Sequence, residues 1–309
     1  MSDEPFGFIN AFKPPGPSSA AFGNWVKWRL GASALGHWGT LDPTACGVLV
    51  LAAGKATKLL PLLGDDRKRY VFELVVGVRT DTGDATGTEI ERAFVPEGWH
   101  ATLEDVVVSL VGPLEQIPPM HSARKIDGQP LYVAARRGKE VVRRARTATI
   151  HELRVIACES QRARLEVACS AGTYVRTLCE EIGRRCGLPA HMGALVRAAA
   201  GPFTLRDAVT PDRLAAAPSA CLIDPLTVLN NARVELDDDA ARRFGHGNDV
   251  RLTHDGSETV WPAATVLAMH AGVLIGYGGV VQRDSVTVLE PSHVFARASE
   301  GNGMKAENE

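Results

Sequence analysis

Residues 36–47 read Gly-His-Trp-Gly-Thr-Leu-Asp-Pro-Thr-Ala-Cys-Gly and hold one acidic side chain, Asp42. Glycine and proline at this density predict a backbone that turns tightly or approaches a ligand closely. The apolar run Val48–Leu51 that follows predicts a short buried strand. A turn that is anchored in this way fixes the direction of its carboxylate, so Asp42 is a candidate for chemistry. On local chemistry alone, a surface turn in which Asp42 caps a neighbouring amide is the simpler explanation.

The composition is that of an ordinary globular protein, with 309 residues of which 45% are hydrophobic and 23% are charged. No apolar run approaches the roughly 20 residues that span a bilayer, and the acidic N-terminus lacks the basic start of a signal peptide. The six cysteines form no CxxC pair and show no zinc-ligand spacing. We therefore expect a cytoplasmic, reduced protein that contains no metal.

Charge is distributed unevenly along the chain, although the net charge is only -2. Residues 233–309 carry 7 basic and 12 acidic side chains, whereas residues 124–154 carry nine basic and three acidic ones. A solvated surface explains such a basic run, and so does a surface that contacts a polyanion.

Hydrophobic periodicity predicts strands mixed with helices over the first 230 residues, which is typical of an α+β or α/β domain with a substantial sheet. Helices are expected over 18–31, near 55–63, over 102–112 and over 172–186, and strands over 69–78, 149–158 and 162–169. The Thr102-Leu103-Glu104-Asp105 stretch is similar to a capping box.

The same patterns divide the chain into domains. We expect a large domain over 1–232, a basic excursion within it over 113–147, a small β-rich domain over 233–297 and a disordered tail over 298–309.

Four segments in register carry a resemblance to a known family. They are residues 36–47 with 54–58, residues 68–70 with 77 and 80–84, residues 118–123 with 125 and 128, and residues 169–178 with 190–192 and 201–203. Together they resemble the bacterial tRNA pseudouridine-55 synthases, the TruB family. The resemblance covers about residues 7–205, and residues 233–297 are more weakly similar to a PUA-like RNA-binding domain.

The resemblance implies a pseudouridine synthase fold with a mixed, mostly antiparallel sheet. It also implies an intramolecular transfer in which uridine in the T-arm loop of tRNA becomes pseudouridine. The detached base recombines with its own sugar, so one carboxylate suffices where glycosidases commonly use two. Neither a cofactor nor a metal is expected, and the partner is tRNA, with no membrane, no obligatory protein partner and a monomeric enzyme.

Site residues follow from the resemblance position by position. Asp42 is the essential catalytic carboxylate, and Tyr70 is the ring on which the flipped-out base stacks. His37, Tyr174 and Leu195 contact the substrate. Arg176 pairs with Asp42, and Lys58 and Asp84 support that pair. The side chains expected to contact the RNA backbone are Lys13, Arg143, Arg144, Arg146 and Arg197, with shaping of the main chain as the alternative role of Lys13.

Outside the motif context these residues have ordinary explanations. Tyr70 suits half-buried packing on a strand, Arg176 a helix surface, and His37 a structural role beside glycine. Trp38, where the family usually has threonine, departs from the pattern next to His37, as do Ala20-Ala21, Val196 and Ala199 at other positions. A tRNA-folding protein without catalysis and a guide-RNA-dependent relative are the alternative functions.

Overall fold

A mixed β-sheet organises residues 1–224 in the computed structural model of this protein. The structure describes residues 4–64, 67–119, 125–126, 129–130, 141–252, 265–284 and 286–295. Within them this sheet has nine strands, in the order β1-β3-β12-β4-β11-β10-β7, with β2 on β3 and β13 on β12. Only the β3–β12 pair among these described strands is parallel. The predicted α+β class with a mostly antiparallel sheet is confirmed.

The elements of this unit are bounded as follows: β1 Gly7–Lys13, α1 Ser19–Leu30, β2 Leu35–Trp38, β3 Cys46–Ala53, β4 Lys68–Val76, β5 Val78–Thr80, β6 Glu89–Arg92, α2 Leu103–Ser109, β7 Gly112–Gln116, β8 Lys125–Ile126, β9 Gln129–Pro130, β10 Arg146–Glu159, β11 Arg162–Cys169, α3 Val175–Arg185, β12 Ala190–Ala200, β13 Phe203–Thr204 and α4 Pro211–Ala216. Short 3-10 helices cover Gly54–Leu62, Trp99–Thr102 and Ser219–Cys221.

Helix α1 shows how local chemistry sets an element boundary. The Ser18 hydroxyl accepts a hydrogen bond from the Ala21 amide at 3.1 Å, and Gly31 ends the helix in the left-handed conformation with φ 64°. Phe22, Val26 and Leu30 face the core, as the periodicity predicts.

Two predicted helices differ from the observed elements. Residues 54–62 form a 3-10 helix rather than an α-helix, and Pro61, which has no amide proton, lies inside it. The capping-box prediction at Thr102 is wrong. The Thr102 hydroxyl instead donates to Trp99 O, because a 3-10 turn already precedes α2.

The second unit, residues 225–309, is β-rich as predicted. Its described elements are β14 Arg233–Glu235, α5 Asp238–Gly245, β15 Val250–Arg251, β16 Thr265–His270, β17 Val273–Arg283 and β18 Val286–Val294, with a 3-10 turn at Pro225–Thr227. They form a sheet in the order β14-β16-β17-β18-β15. The division of the chain falls at Asp224–Pro225, a few residues before the predicted boundary, and the predicted tail over 298–309 lies outside the described residues. No helix in the described part of the chain is long and apolar enough to cross a membrane.

Candidate active site

The loop that carries Asp42 joins β2 to β3 and is fixed by two buried side chains. Ser19 Oγ accepts from the Leu41 amide at 2.8 Å and donates to the Leu41 carbonyl at 2.9 Å. Lys13 Nζ donates to the carbonyl oxygens of Pro14, Pro43 and Ala45 at 2.9, 3.4 and 2.8 Å. Because both residues around Asp42 are held, the loop presents the carboxylate in one direction.

Arg176 binds the Asp42 carboxylate with two nitrogens. Its Nε lies 3.1 Å from Asp42 Oδ2, and its Nη2 donates to Asp42 Oδ1 at 3.3 Å. Arg176 lies in the first turn of α3 and only 5% of its side chain is exposed, whereas 32% of the Asp42 side chain is. The pair therefore has a buried cation behind a carboxylate that still reaches solvent. Bidentate geometry of this kind fixes both the position and the plane of a carboxylate.

Asp84 supports Arg176 from the opposite side. Its Oδ2 lies 3.9 Å from Arg176 Nη1, and the same nitrogen donates to Thr82 O at 3.2 Å. Asp84 Oδ1 in turn accepts hydrogen bonds from the hydroxyls of Thr82 and Thr86 and from the Thr86 amide. The predicted grouping of Asp42, Arg176 and Asp84 is thus one connected network.

The two carboxyls of the network differ in their acidity. Burial raises the pKa of Asp42, Asp84 adds to this, and Arg176 and Lys13 oppose it without cancelling it. Burial also acts to raise the pKa of Asp84, but its hydrogen bonds from Thr86 and Thr82, together with Arg176, leave that pKa lowered. Asp84 therefore stays ionised as the permanent counterion of Arg176, while Asp42 is the carboxyl that takes up a proton more readily.

A titration of the Asp42 carboxyl tests this assignment. We expect its pKa, followed by carbon-13 NMR in aspartate-labelled protein, to lie above the ordinary value of about 3.9. In Arg176→Gln we expect the pKa to rise further, because the positive charge that favours the carboxylate is gone. Asp42→Asn assigns the resonance. An Asp42 pKa below the ordinary value, or one that Arg176→Gln does not raise, would contradict the assignment.

Tyr70 and Leu195 line the sheet next to this network. Tyr70 lies on β4 and is 7% exposed, opposite Arg197 of β12, and Leu195 is 8% exposed on β12 opposite Phe72. Burial raises the pKa of the Tyr70 hydroxyl, and the Asp42 charge contributes in the same direction. The structure therefore brings a ring and a leucine side chain to the strands beside the Asp42 loop.

His37 and Tyr174 are less buried than Tyr70. His37 lies on β2 with Nε2 3.2 Å from Thr40 Oγ1, and the neighbouring Trp38 ring has Lys68 Nζ 4.6 Å from its centroid. Tyr174 is the residue before α3 and borders a cavity of about 450 Å³. The other residues that line this cavity are Gln116, Pro118, Arg146, Thr147, Ala148, Ala171 and Gly172.

Gln116 is a supporting residue that the sequence analysis missed. Its side chain is 3% exposed, accepts from the Tyr174 amide at 2.9 Å and donates to the Tyr174 carbonyl at 3.3 Å. Helix α3 has no side-chain cap of its own, so Gln116 fixes the entry to the turn that carries Arg176. Its place two residues before the Pro118-Pro119 motif was the available signal.

Two of the predicted RNA-backbone residues are buried. Lys13 and Arg197 both have 0% exposure, and their nitrogens donate to main-chain carbonyls. Neither charge faces solvent, so the structure gives no support to an RNA contact by these two residues. The reason is topological: Lys13 ends the edge strand β1 beneath the Asp42 loop, and Arg197 lies in an inner strand. The contacts of Lys13 agree instead with its alternative role of shaping the main chain.

The remaining basic residues lie on the surface. Arg144 and Arg146 are exposed, and Arg143 is half-buried, with Nη1 donating to Pro118 O at 3.0 Å. None of the three forms an ion pair with a carboxylate in the described part of the chain. Lys58 is exposed on the 54–62 helix, and its support of Arg176 stays a prediction. The basic residues over 131–140 lie outside the described residues.

Comparison with known proteins gives consistent matches. The family model for the N-terminal domain of TruB family pseudouridylate synthases matches residues 27–175, and the model for the C-terminal domain of tRNA pseudouridylate synthase B matches residues 176–221. A tRNA pseudouridine synthase B of Heliobacterium modesticaldum is 35% identical over 297 residues, which cover 94% of this chain and 96% of the relative. One from Pseudomonas putida is 47% identical over 208 residues, covering 67% and 68% of the two chains.

Among solved structures, a chain of a Cbf5-Nop10-Gar1 complex matches 94% of this chain and 84% of its own length, with a TM-score of 0.68 and 26% identity. This match and the sheet order support the predicted pseudouridine synthase fold. The family models, the sequence identity to the relatives and the match in fold all agree with the resemblance that the motif around Asp42 indicates. The chain belongs to the TruB family of pseudouridylate synthases.

Proposed function

We propose that this protein converts uridine 55 in the T-arm loop of tRNA to pseudouridine, with Asp42 as the catalytic carboxylate. The observation that carries the proposal is the Asp42–Arg176 pair, in which a partly exposed carboxylate is held by a buried guanidinium. Family membership supports the reaction class, and the names of the relatives support tRNA as the substrate.

The reaction is an isomerisation that rearranges bonds within one nucleotide. The N1–C1′ bond of uridine breaks, the base turns within the site, and a bond forms between C5 and C1′. The proton on C5 is lost and N1 gains one, so atoms and charge balance without an oxidant or a water molecule. A carboxylate in a confined site suits this chemistry, whether it attacks the sugar, adds to the base or removes a sugar proton. Water must be kept from the detached base rather than activated.

The neighbouring side chains suit a flipped pyrimidine. A base that leaves its stack in the RNA loop loses stacking energy, and a ring at Tyr70 offsets about 1–3 kcal/mol of that loss. In the proposal Leu195 contacts the same base, and Tyr174 and His37 contact the substrate at the edges of the site. Asp84 and Lys58 keep Arg176 in place. Tyr70 is 7% exposed in the free protein, so binding of the base requires the side chains around it to open.

Phosphate contacts are assigned to Arg143, Arg144 and Arg146. Arg144 and Arg146 are exposed and Arg143 is half-buried, and cations that form no ion pair with a described carboxylate are available for a polyanion. Such contacts position RNA without reading its sequence. We extend the proposal to the second unit as a PUA-like RNA-binding domain, and to an enzyme that acts as a monomer without a protein partner.

Salt dependence tests the phosphate contacts. Neutralising the three arginines together, as Arg→Gln, is expected to weaken T-arm binding and to flatten the slope of log affinity against log salt by about 2, since each lost phosphate contact removes about 0.7–0.9. Binding is measured by filter retention from low to high salt. Arg184→Gln is the matched control, because Arg184 is exposed but already paired with Glu181 at 2.8 Å. An unchanged slope in the triple variant would assign the basic residues to ordinary solvated surface.

Mapping of the product tests the proposed function itself. The purified protein is incubated with an unmodified tRNA transcript, and pseudouridine is located by carbodiimide labelling and primer extension. We expect one stop, at position 55, and none in a transcript with cytidine there. Binding without any product would favour the tRNA-folding alternative. Product that forms only after a protein fraction or a guide RNA is added would favour a partner-dependent synthase.

A further inference from the structure

Arg197 is a buried cation in the middle of strand β12. Its side chain is 0% exposed, and no carboxylate in the described part of the chain forms an ion pair with it. Burial of an unpaired guanidinium costs several kcal/mol, and an apolar side chain of similar size is often as stable or more so at such a position. The charge itself therefore does not explain why an arginine lies here, and its hydrogen-bond partners are the next place to look.

The guanidinium joins the two sides of the Asp42 loop. Arg197 Nη2 donates to the Gly39 carbonyl at 2.9 Å, and Arg197 Nε donates to the Val48 carbonyl at 2.6 Å. Gly39 precedes Asp42 and Val48 follows it, so the planar fork of one side chain spans the segment that carries the catalytic carboxylate. A lysine has a single nitrogen and no such fork.

The same side chain lies beside Tyr70. Arg197 and Tyr70 are directly opposite in the antiparallel β12–β4 pair, which places their side chains on one face of the sheet. A side-chain hydrogen bond with Arg197 is among the influences that lower the pKa of the Tyr70 hydroxyl.

The charges around Tyr70 act on its hydroxyl in opposite directions. Burial is the largest influence and raises the pKa of this hydroxyl. The Arg197 charge lowers the same pKa, whereas Cys169 of β11 and Asp42 raise it. Arg197 also lowers the pKa of His37, after burial. Two of the predicted substrate-contacting residues, Tyr70 and His37, are thus influenced by the charge of this one guanidinium.

We propose that Arg197 is a positioning residue of the reaction, which closes the Asp42 loop between Gly39 and Val48 and seats the Tyr70 ring beside it. This proposal rests on the proposed function. It replaces the sequence-based expectation that Arg197 contacts the RNA backbone, and it explains why a charge is kept inside the sheet.

Single-turnover kinetics of Arg197→Met test the proposal. We expect the rate of tritium release from a [5-³H]uridine T-arm stem-loop to fall by about 10²-fold, the scale of a small misplacement of reacting groups. The dissociation constant for the stem-loop and its salt slope should change by less than about twofold. Arg197→Lys keeps the charge but cannot bridge both carbonyls, so we expect a rate between those of the wild type and Arg197→Met.

Two further variants keep the test decisive. Leu74→Ala destabilises strand β4, the partner of β12, at a position away from the Asp42 loop, so it shows what loss of stability alone does to the rate. Gly39→Ala would bring a methyl group to 3.3 Å from Arg197 Nη1 and 3.2 Å from Lys68 Cε, and Gly39 has φ 79°, so this variant disturbs the loop backbone as well as the guanidinium. If Arg197→Met does not fold, a rate loss in Arg197→Lys at unchanged affinity and unchanged salt slope supports the proposal, and Gly39→Ala is expected to act in the same direction.

Other outcomes overturn it. Weaker binding with a flatter salt slope in Arg197→Met would assign Arg197 to RNA contact. A rate equal to that of Leu74→Ala at matched thermal stability would assign it to structure alone. Absence of tritium release from the wild-type protein would instead contradict the proposed function, so the two failures are distinguishable.

Discussion

Replacement of Asp42 by asparagine is expected to abolish pseudouridine formation while T-arm RNA still binds. Asparagine has the shape of aspartate and still accepts a hydrogen bond from Arg176, but it is neither a nucleophile nor a base. Removal of an essential group of this kind costs on the order of 10⁴-fold or more in rate. The measurement is single-turnover tritium release, with the dissociation constant for the same stem-loop determined alongside.

Two aspartates provide matched controls. Asp105→Asn changes an exposed aspartate of helix α2 and should leave the rate unchanged. Asp84→Asn should lower the rate less than Asp42→Asn does, because Asp84 acts through Arg176. If Asp42→Asn retained more than about a hundredth of the wild-type rate, Asp42 would not be the essential catalytic carboxylate.

Replacement of Gly47 by alanine is expected to lower the stability of the protein by several kcal/mol. Gly47 has φ 109°, and an added Cβ would lie 2.3 Å from Arg197 O and 2.8 Å from Arg197 N. Both atoms belong to the main chain of the paired strand β12, so they cannot yield as a flexible side chain would. Backbone strain and overpacking each cost about 1–3 kcal/mol, and the free energy of unfolding in urea should fall by their sum.

Gly31→Ala is the matched control for Gly47→Ala. Gly31 also has a positive φ, 64°, but an added Cβ would meet no atom within 4 Å. Its replacement should therefore cost only the left-handed strain of about 1–2 kcal/mol. Equal losses in the two variants would show that β3 and β12 do not approach each other as closely as described.

Local chemistry explains what the sequence could predict. Ser18 and Gly31 bound helix α1 through contacts within a few residues, and the alternating pattern of β11 is visible without knowledge of its neighbours. The motif around Asp42 and the context of Arg176 predicted their grouping through family resemblance, and the distances between their side chains agree with it.

Features that depend on strand order could not be predicted in this way. The burial of Lys13 and Arg197 follows from which strands flank β3, and Gln116 meets Tyr174 only because β7 and β10 pair at the sheet edge. A lysine or arginine in an apolar stretch suggests a surface or an RNA contact when the neighbours in space are unknown. The 3-10 form of residues 54–62 has a local cause in Pro61, but helical periodicity alone does not distinguish it from an α-helix.

The parallel pairing of β3 with β12 also determines when the site exists during synthesis. Cys46 pairs with Val196 and Gly47 with Arg197, so the strand that follows the Asp42 loop waits for a partner made about 150 residues later. Contacts this distant in sequence form slowly, because a long loop must close before they contribute. A ribosome-bound chain that has not yet released β12 therefore contains Asp42 and β3 but lacks the strand that pairs with β3 directly after the Asp42 loop.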